Sequence, residues 1–312
     1  ASQKQQVLKL AAEGVRITSV LNKEKIQSIL LKGPFLSEQI YNDVSLRPSR
    51  DIDMLILPEN INQVNEILLG EGYKMIYPDF GLTKKQTVYY QRKRNQYAYR
   101  NPENGCMIEL HWRLFSQKSL FPVSAEDVFV QSEERIMAGK PIRVLSPNYT
   151  IEYLCIHGAL HQWFRLLWLK DISQIFDNKE LDLDKVLWNA RLHGNERVIE
   201  QAARLSYLFF GTQIGKSFET ASKPTKAIVN HAIGAIVSDE KLTLSHRLIR
   251  LRMPIYKMKL KKGLCHKLSC WSILQPNFND WKKVKLPDSL FILYFFLRPF
   301  IWFKTYYFQK GK

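Results

Sequence analysis

The stretch Arg47-Pro48-Ser49-Arg50-Asp51-Ile52-Asp53-Met54-Leu55-Ile56-Leu57 decides the reading of this chain. From Asp51 onward it is an apolar run with the pattern of a buried strand. Side chains two apart on a strand share one face. Asp51 and Asp53 therefore stand side by side at the end of a rigid element. At ~5 Å and an effective dielectric of ~20 their repulsion is on the order of 3 kcal/mol. Such a pair persists where positive charge sits between its members. Arg47 or Arg50 can supply that charge, and so can a divalent cation, for which carboxylates are hard oxygen ligands.

Working outward, residues 4–21 have helical spacing through Val7, Leu8, Ala11 and Val15. Residues 26–31 read as a first strand, and residues 34–42 as a helix with Pro34 in its favoured first turn. Downstream, residues 59–69 have helical spacing and stop at Gly70 and Gly72. Residues 87–91, 97–100 and 106–112 read as strands, the last two joined by the turn Asn101-Pro102-Glu103-Asn104-Gly105. The sum is an α+β domain, a mixed sheet with flanking helices, over residues 1–145. After Pro147 the pattern turns helical over 148–164, 166–176, 184–193 and 196–210, with Gly194 as a C-cap. A helical domain is expected over 146–235, followed by a basic helical region and an apolar tail over 236–312.

A third acid lies in Met107-Ile108-Glu109-Leu110-His111, where Glu109 and His111 share a strand face. Three segments now stand in order: LLKGPFLSEQIYNDVSLRPSRDIDMLI (30–56), IELHWRL (108–114) and LSPNYTIEYLCIHGALHQWFRLLWLKDI (145–172). Together they resemble bacterial nucleotidyltransferase-like proteins of the nucleotidyltransferase superfamily. The mark of that superfamily is a Gly-containing turn, an Asp-x-Asp pair and a later carboxylate. The later carboxylate is more often Asp, and here it is Glu109. The resemblance does not extend past about residue 175.

The resemblance implies that Asp51, Asp53 and Glu109 are catalytic and hold Mg2+, with Mn2+ as an alternative. The first two would bind both metals of a pair; Glu109 would bind one and accept the acceptor's proton. Carboxylates suit two-metal phosphoryl chemistry, which needs positioning and charge neutralisation. The competing reading pairs these acids with Arg47, Arg50 and Arg113. The expected nucleotide-binding set is Lys32, Gly33, Arg47, Ser49, Arg50, His157, His161 and Arg165. Gly33 lets backbone approach phosphates at the start of a helix; Lys32 offers a point charge, and the arginines offer forks. His157, His161 and Arg165, spaced four apart, fall on one helix face. That face is expected in the cleft, with Asp171 orienting a histidine; the alternative is a hydrogen-bonded seam between domains. A zinc site is disfavoured, because no Glu follows His157 as a metalloprotease motif requires.

The chain has 312 residues, a net charge of +17 and four cysteines (Cys106, Cys155, Cys265, Cys270) without Cys-x-x-Cys spacing. The scattered thiols argue against a zinc site or a disulfide framework and fit a reducing compartment. The polar start carries no recognisable leader, so a cytoplasmic location is expected, with membrane association as an addition. The positive charge points to anionic partners. From Lys241 to Asn279 there is no acid, while Lys241, Arg247, Arg250, Arg252, Lys257, Lys259, Lys261, Lys262 and Lys267 accumulate. Nucleic acid is one partner such a stretch suits. The tail from Leu290 to Phe303 is apolar except for Arg298 and is broken by Pro299. It is too short to span a bilayer. With Lys282, Lys283, Lys285, Lys304, Lys310 and Lys312 around it, it reads either as a helix pair buried against the fold or as a peripheral membrane anchor.

The expected function is Mg2+-dependent transfer of a nucleoside monophosphate from an NTP to an unidentified acceptor: a sugar phosphate, a peptide or protein, a small metabolite, or a tRNA or RNA end. The alternatives are a phosphotransferase using the same site and a non-catalytic nucleotide- or nucleic-acid-binding module.

Overall fold

The computed structural model describes residues 2–179, 181–218, 220–237, 246–270 and 275–307, with backbone alone over 246–252 and 305–307. The chain opens with helix α1 (Gln3–Lys23), strand β1 (Ser28–Leu30), helix α2 (Pro34–Tyr41) and strand β2 (Ile52–Ile56). Helix α3 (Ile61–Gly70), strand β3 (Lys74–Tyr77), helix α4 (Lys84–Lys93) and strands β4 (Gln96–Arg100) and β5 (Met107–His111) follow. Helix α5 (Ala125–Val130) leads into the hairpin β6 (Glu133–Met137) and β7 (Lys140–Val144). The rest is helical: α6 (Pro147–Leu160), α7 (Leu166–Phe176), α8 (Leu183–Leu192), α9 (Glu196–Phe210), α10 (Lys223–Val237), α11 (His246–Leu260), α12 (Leu264–Ser269), α13 (Phe278–Lys283) and α14 (Leu293–Tyr307).

The seven strands form one mixed sheet in the order β3-β4-β5-β2-β1-β7-β6. β2 runs parallel to β5 and antiparallel to β1, so the Asp-x-Asp strand sits near the middle. Alternation along β2 and β5 divides their side chains between two layers. Ile52, Met54, Ile108 and Leu110 point into a core that also holds Leu10, Ile17 and Leu21 of α1 and Val64 and Leu68 of α3. On the other face, Ile29, Leu31 and Leu55 join the apolar sides of α6 to α10 in a second continuous core. Asp53 and Glu109 alternate with the first set and so face the side of α6 to α10.

Several local signals act as the sequence suggests. Ser2 and Gln5 form a capping box on α1. Pro34 occupies the start of α2, and Asn42 closes it in the left-handed conformation (φ 53°). Asn101 Oδ1 accepts from the backbone N–H groups of Glu103 and Asn104 in the β4–β5 turn.

Other expectations are corrected. Residues 87–91 are part of α4, not a strand. Thr83 and Gln86 form a capping box, and burial follows the helical spacing of Gln86 and Tyr90 while Val88 is exposed. The β-branched and aromatic residues gave a strand-like composition that the cap overrides. Helix α6 ends at Leu160, short of Phe164. Strands β3, β6 and β7 were not anticipated; β6 is mostly exposed and charged, as an edge strand can be.

The tail returns to the first core: Trp281 and Tyr294 are buried with Ile52 and Met54. Arg298 Nη1 bonds Asp280 Oδ1 at 2.7 Å. Ile292, Phe296, Phe300 and Phe303 of the tail are exposed. No helix among the described residues is long and apolar enough to cross a membrane. Of the basic stretch and tail, Lys241, Lys310 and Lys312 lie outside the described residues, as do the side chains of Arg247, Arg250 and Arg252.

Candidate active site

Parallel pairing of β2 with β5 sets Asp53 opposite Glu109 and Leu55 opposite His111. Asp53 Oδ1 accepts from Lys32 Nζ at 2.9 Å and lies 3.3 Å from His111 Nε2. Glu109 Oε2 is 3.6 Å from the same nitrogen. On the far side of the ring, His111 Nδ1 lies 3.2 Å from Asn95 Nδ2, an amide that also faces the carbonyls of Arg113 and Leu114. Those carbonyls orient the amide as a donor, so Nδ1 accepts and Nε2 carries the hydrogen toward the acids. Ligand atoms of Asp53, Glu109 and His111 lie within 4.8 Å of one another, the one such group found among the described residues.

The charges are unevenly matched. Burial opposes the charge on Asp53, but Lys32 and His111 outweigh it and hold the carboxyl well below the usual carboxylate range. Burial likewise opposes a charged Lys32 and a charged His111, and the acids overcome it, raising both above their ordinary values. At Asp51 the balance goes the other way: burial, then repulsion from Asp53, outweigh the attraction of Lys32 and Arg47 and raise it to about 6. Surplus negative charge on oxygen donors, opening on a cleft, fits a divalent cation. Asp51, Asp53 and Glu109 would hold it, with His111 as the hydrogen-bonding partner that orients the acids.

The phosphate side is built by a tight backbone approach. Gly33 has φ +68°, and a Cβ there would come within 2.9 Å of Ser49 Oγ. Ser49 Oγ in turn donates to the Asp51 carbonyl at 3.0 Å. Arg47 is 5% exposed; its Nε donates to Asp171 Oδ2 at 2.8 Å, and Tyr41 Oη donates to Asp171 Oδ1 at 2.9 Å. The loop before β2 is thereby tied to α7.

The opposite wall comes from α6, α7 and the turn between them. Gln162 and Trp163 both have positive φ (57°). Trp163 is fully buried and bonds Gln201 through Nε1 at 3.2 Å. Its ring lies against Gly158, where a Cβ would meet it at 2.3 Å. That packing turns the chain so that Arg165 and Trp168 face the same space as His157 and His161. The His157 and Trp168 ring centroids are 4.9 Å apart, His161 and Trp168 5.2 Å, and Arg165 Cζ lies 5.4 Å from the Trp168 ring. Burial, aided by Lys32, lowers the pKa of both histidines, favouring neutral rings.

Together Lys32, Gly33, Arg47, Ser49, Arg50, Asp51, Asp53, Glu109, His157, His161 and Arg165 line one cleft of about 670 Å³. All eleven residues singled out in the sequence meet there. Three expected pairings differ. Lys32, rather than Arg47 or Arg50, neutralises Asp53. Asp171 holds Arg47 and not a histidine. Arg113 donates to backbone carbonyls of Gln91, Arg92 and Arg94 rather than to an acid. His111 and Tyr153, whose ring lies 5.9 Å from Lys32 Nζ, were not singled out as site residues. His111 was detectable from its i, i+2 spacing to Glu109; Tyr153, on a helix distant in sequence from Lys32, left no signal.

Two solved structures resemble the fold. One is the antibiotic-resistance factor ANT(2'')-Ia (11% identity, 61% of this chain and 94% of that chain, TM-score 0.40). The other is an antigenic nucleotidyltransferase-like protein from Paracoccidioides brasiliensis (13% identity, 59% of this chain and 88% of that chain, TM-score 0.37). Likenesses of this size carry no argument about the site. No curated protein matches the sequence. A family model described as uncharacterised nucleotidyltransferase matches residues 1–211, about two thirds of the 312-residue chain. The protein belongs to this nucleotidyltransferase family.

Proposed function

We propose that the protein transfers a nucleoside monophosphate from an NTP to an acceptor nucleophile, with release of pyrophosphate. The observation that carries this reading is the meeting of Asp53 on β2, Asp51 just before it and Glu109 on β5 with basic and aromatic side chains in a single cleft. Mg2+, with Mn2+ as an alternative, would be held by Asp51, Asp53 and Glu109; when bound it supplies charge neutralisation at the phosphates. Arg50, Arg165 and the outer face of Arg47 bind the triphosphate as forks. The Gly33–Ser49 approach lets backbone come close to it. Trp168, with the neutral rings of His157 and His161, offers a surface for the base.

In the transfer, an acceptor O–H gives its proton to Glu109 while its oxygen bonds to the α-phosphorus. The bond from that phosphorus to the bridging oxygen breaks, and pyrophosphate leaves with the electron pair. His111 holds the Glu109 carboxylate in position. Residues 1–145 would act as the catalytic unit and 146–235 as its helical cover, with Tyr256 and Leu260 bracing the second core and Trp281 and Tyr294 the first. Four free thiols support a reducing, cytoplasmic setting, and the net charge of +17 supports polyanionic substrates.

Incubation of a whole bacterial lysate with α-labelled or γ-labelled NTP, Mg2+ and the protein tests the reading. Label entering an acceptor from the α position, and lost with Asp53→Asn, is the expected result. Label entering from the γ position would make the protein a phosphotransferase, and label from neither would leave it without transferase activity.

A further inference from the structure

Two cavities meet at one side chain. Glu109 bounds the nucleotide cleft and is also a wall of a second hollow of about 410 Å³, lined otherwise by Tyr77, Tyr90, Arg94, Asn95, Gln96 and Ala98. Strand register explains the arrangement. Tyr77 on β3 pairs with Ala98 on β4, Ala98 with Glu109 on β5, and Glu109 with Asp53 on β2. These four positions form one row across the sheet, entered on β3 through a register shift between Met75 and Tyr77. Of the three acids, Glu109 alone lines both cavities.

We infer that this second hollow is the acceptor subsite, and that the acceptor is a small hydroxyl compound bearing an anionic group. The inference rests on the nucleotidyl-transfer reading above. An attacking hydroxyl must lie beside the base that takes its proton and in line with the phosphorus it attacks. A hollow that shares Glu109 with the nucleotide cleft meets the first need without displacing the triphosphate. Its volume is that of a small-molecule site.

The lining gives the chemical class. Among the described residues Arg94 has no carboxylate partner. Its guanidinium suits a phosphate or carboxylate oxygen pair. The corner that carries it is fixed, since Arg113 donates to the carbonyls of Gln91, Arg92 and Arg94 at the end of α4. The Tyr77 and Tyr90 rings, 6.2 Å apart and tilted by 59°, supply an aromatic corner, with Tyr90 buried behind Tyr77. Asn95 also joins the two sites, because its amide holds His111, whose other nitrogen faces Asp53 and Glu109.

The test uses the full chain, Mg2+, α-labelled NTPs and the deproteinised small-molecule fraction of a bacterial lysate, with and without prior phosphatase treatment. Arg94→Glu is compared with Arg92→Glu, an exposed neighbour outside the hollow, and binding of a fluorescent ATP analogue is followed in parallel. The expected result is a labelled small product that phosphatase pretreatment abolishes. Arg94→Glu should lower its rate at least tenfold at limiting extract, and more extract should restore part of the loss. Analogue binding should match the wild type, and Arg92→Glu should behave as the wild type. A product that resists phosphatase but fails with Arg94→Glu keeps the subsite and makes the anion a carboxylate. Undiminished product with Arg94→Glu, or label confined to RNA or protein in whole lysate, overturns the inference while transfer stands. No labelled product from whole lysate overturns the transfer reading and the inference with it.

Discussion

At Asp51 the cleft keeps a carboxylate that the fold alone would sooner protonate. Its pKa is raised from the ordinary 3.8 to about 6, by burial first and by Asp53 second. A raised folded-state pKa means that the protonated acid is favoured on folding. The associated stability is present below pH ~4 and is lost as pH rises through 6, on the order of 3 kcal/mol in full. With metal chelated, Asp51→Asn should therefore be more stable than the wild type at pH 7.5 by about 2 kcal/mol, the gain shrinking toward pH 4, as read from urea unfolding. The same variant should lose transfer activity by at least ~100-fold, since it removes a ligand and a charge at the phosphates. A carboxylate whose removal stabilises the fold and ends activity is retained for function. The acids were legible in the sequence because strand alternation fixes which side chains share a face. Lys32 as the partner of Asp53 was not, because it depends on pairing across β1 and β2, where Leu31 N–H donates to the Asp53 carbonyl at 3.0 Å.

Among elements, the loop before β2 and helix α7 are fastened by the Arg47–Asp171 pair, 6% and 1% exposed at their side chains. Removing one partner leaves a buried charge unmatched. Arg47→Met alone should cost about 3 kcal/mol in thermal or urea unfolding, and Arg47→Met with Asp171→Leu should recover at least half of that. Equal losses in the single and double variants would show that the pair does not couple the two elements. The α6–α7 turn depends on a different contact. Gly158→Ala would drive a methyl into the Trp163 ring, so a loss of about 2–3 kcal/mol is expected. A displaced ring should also change tryptophan fluorescence, whereas an unchanged spectrum and stability would contradict the packing argument. The helical spacing of His157, His161 and Arg165 brings them to the cleft that holds Asp51, Asp53 and Glu109 although α6 stops at Leu160. The turn at Gln162 and Trp163 takes over the work of the helix, and neither residue type signals positive φ. Helix α4 was misread for the opposite reason: its strand-like composition outweighed a correctly placed capping box.

Across the whole molecule, one central sheet carries two cores, and Asp53 and Glu109 lie on the face that α6 to α10 cover. The middle of that sheet was legible because β2 and β5 are apolar on their inner positions. The edges were not: β6 is mostly exposed and charged, and β3 has no fully buried residue, its side chains alternating between exposed and partly buried. Long-range ties such as Arg47 to Asp171 join residues far apart in the chain and leave no local pattern. The tail reached the fold through Trp281 and Tyr294, while seven of its large apolar residues, Leu290, Ile292, Leu293, Phe295, Phe296, Phe300 and Phe303, stayed exposed. The central claim is that Asp51, Asp53 and Glu109 form one cation site across two strands. Titration of the intact protein with Mn2+, followed by electron paramagnetic resonance of the free ion, tests it most directly. Saturable binding should weaken at least ~10-fold in each of Asp51→Asn, Asp53→Asn and Glu109→Gln. Wild-type binding that survives unchanged in Asp53→Asn and Glu109→Gln would contradict it.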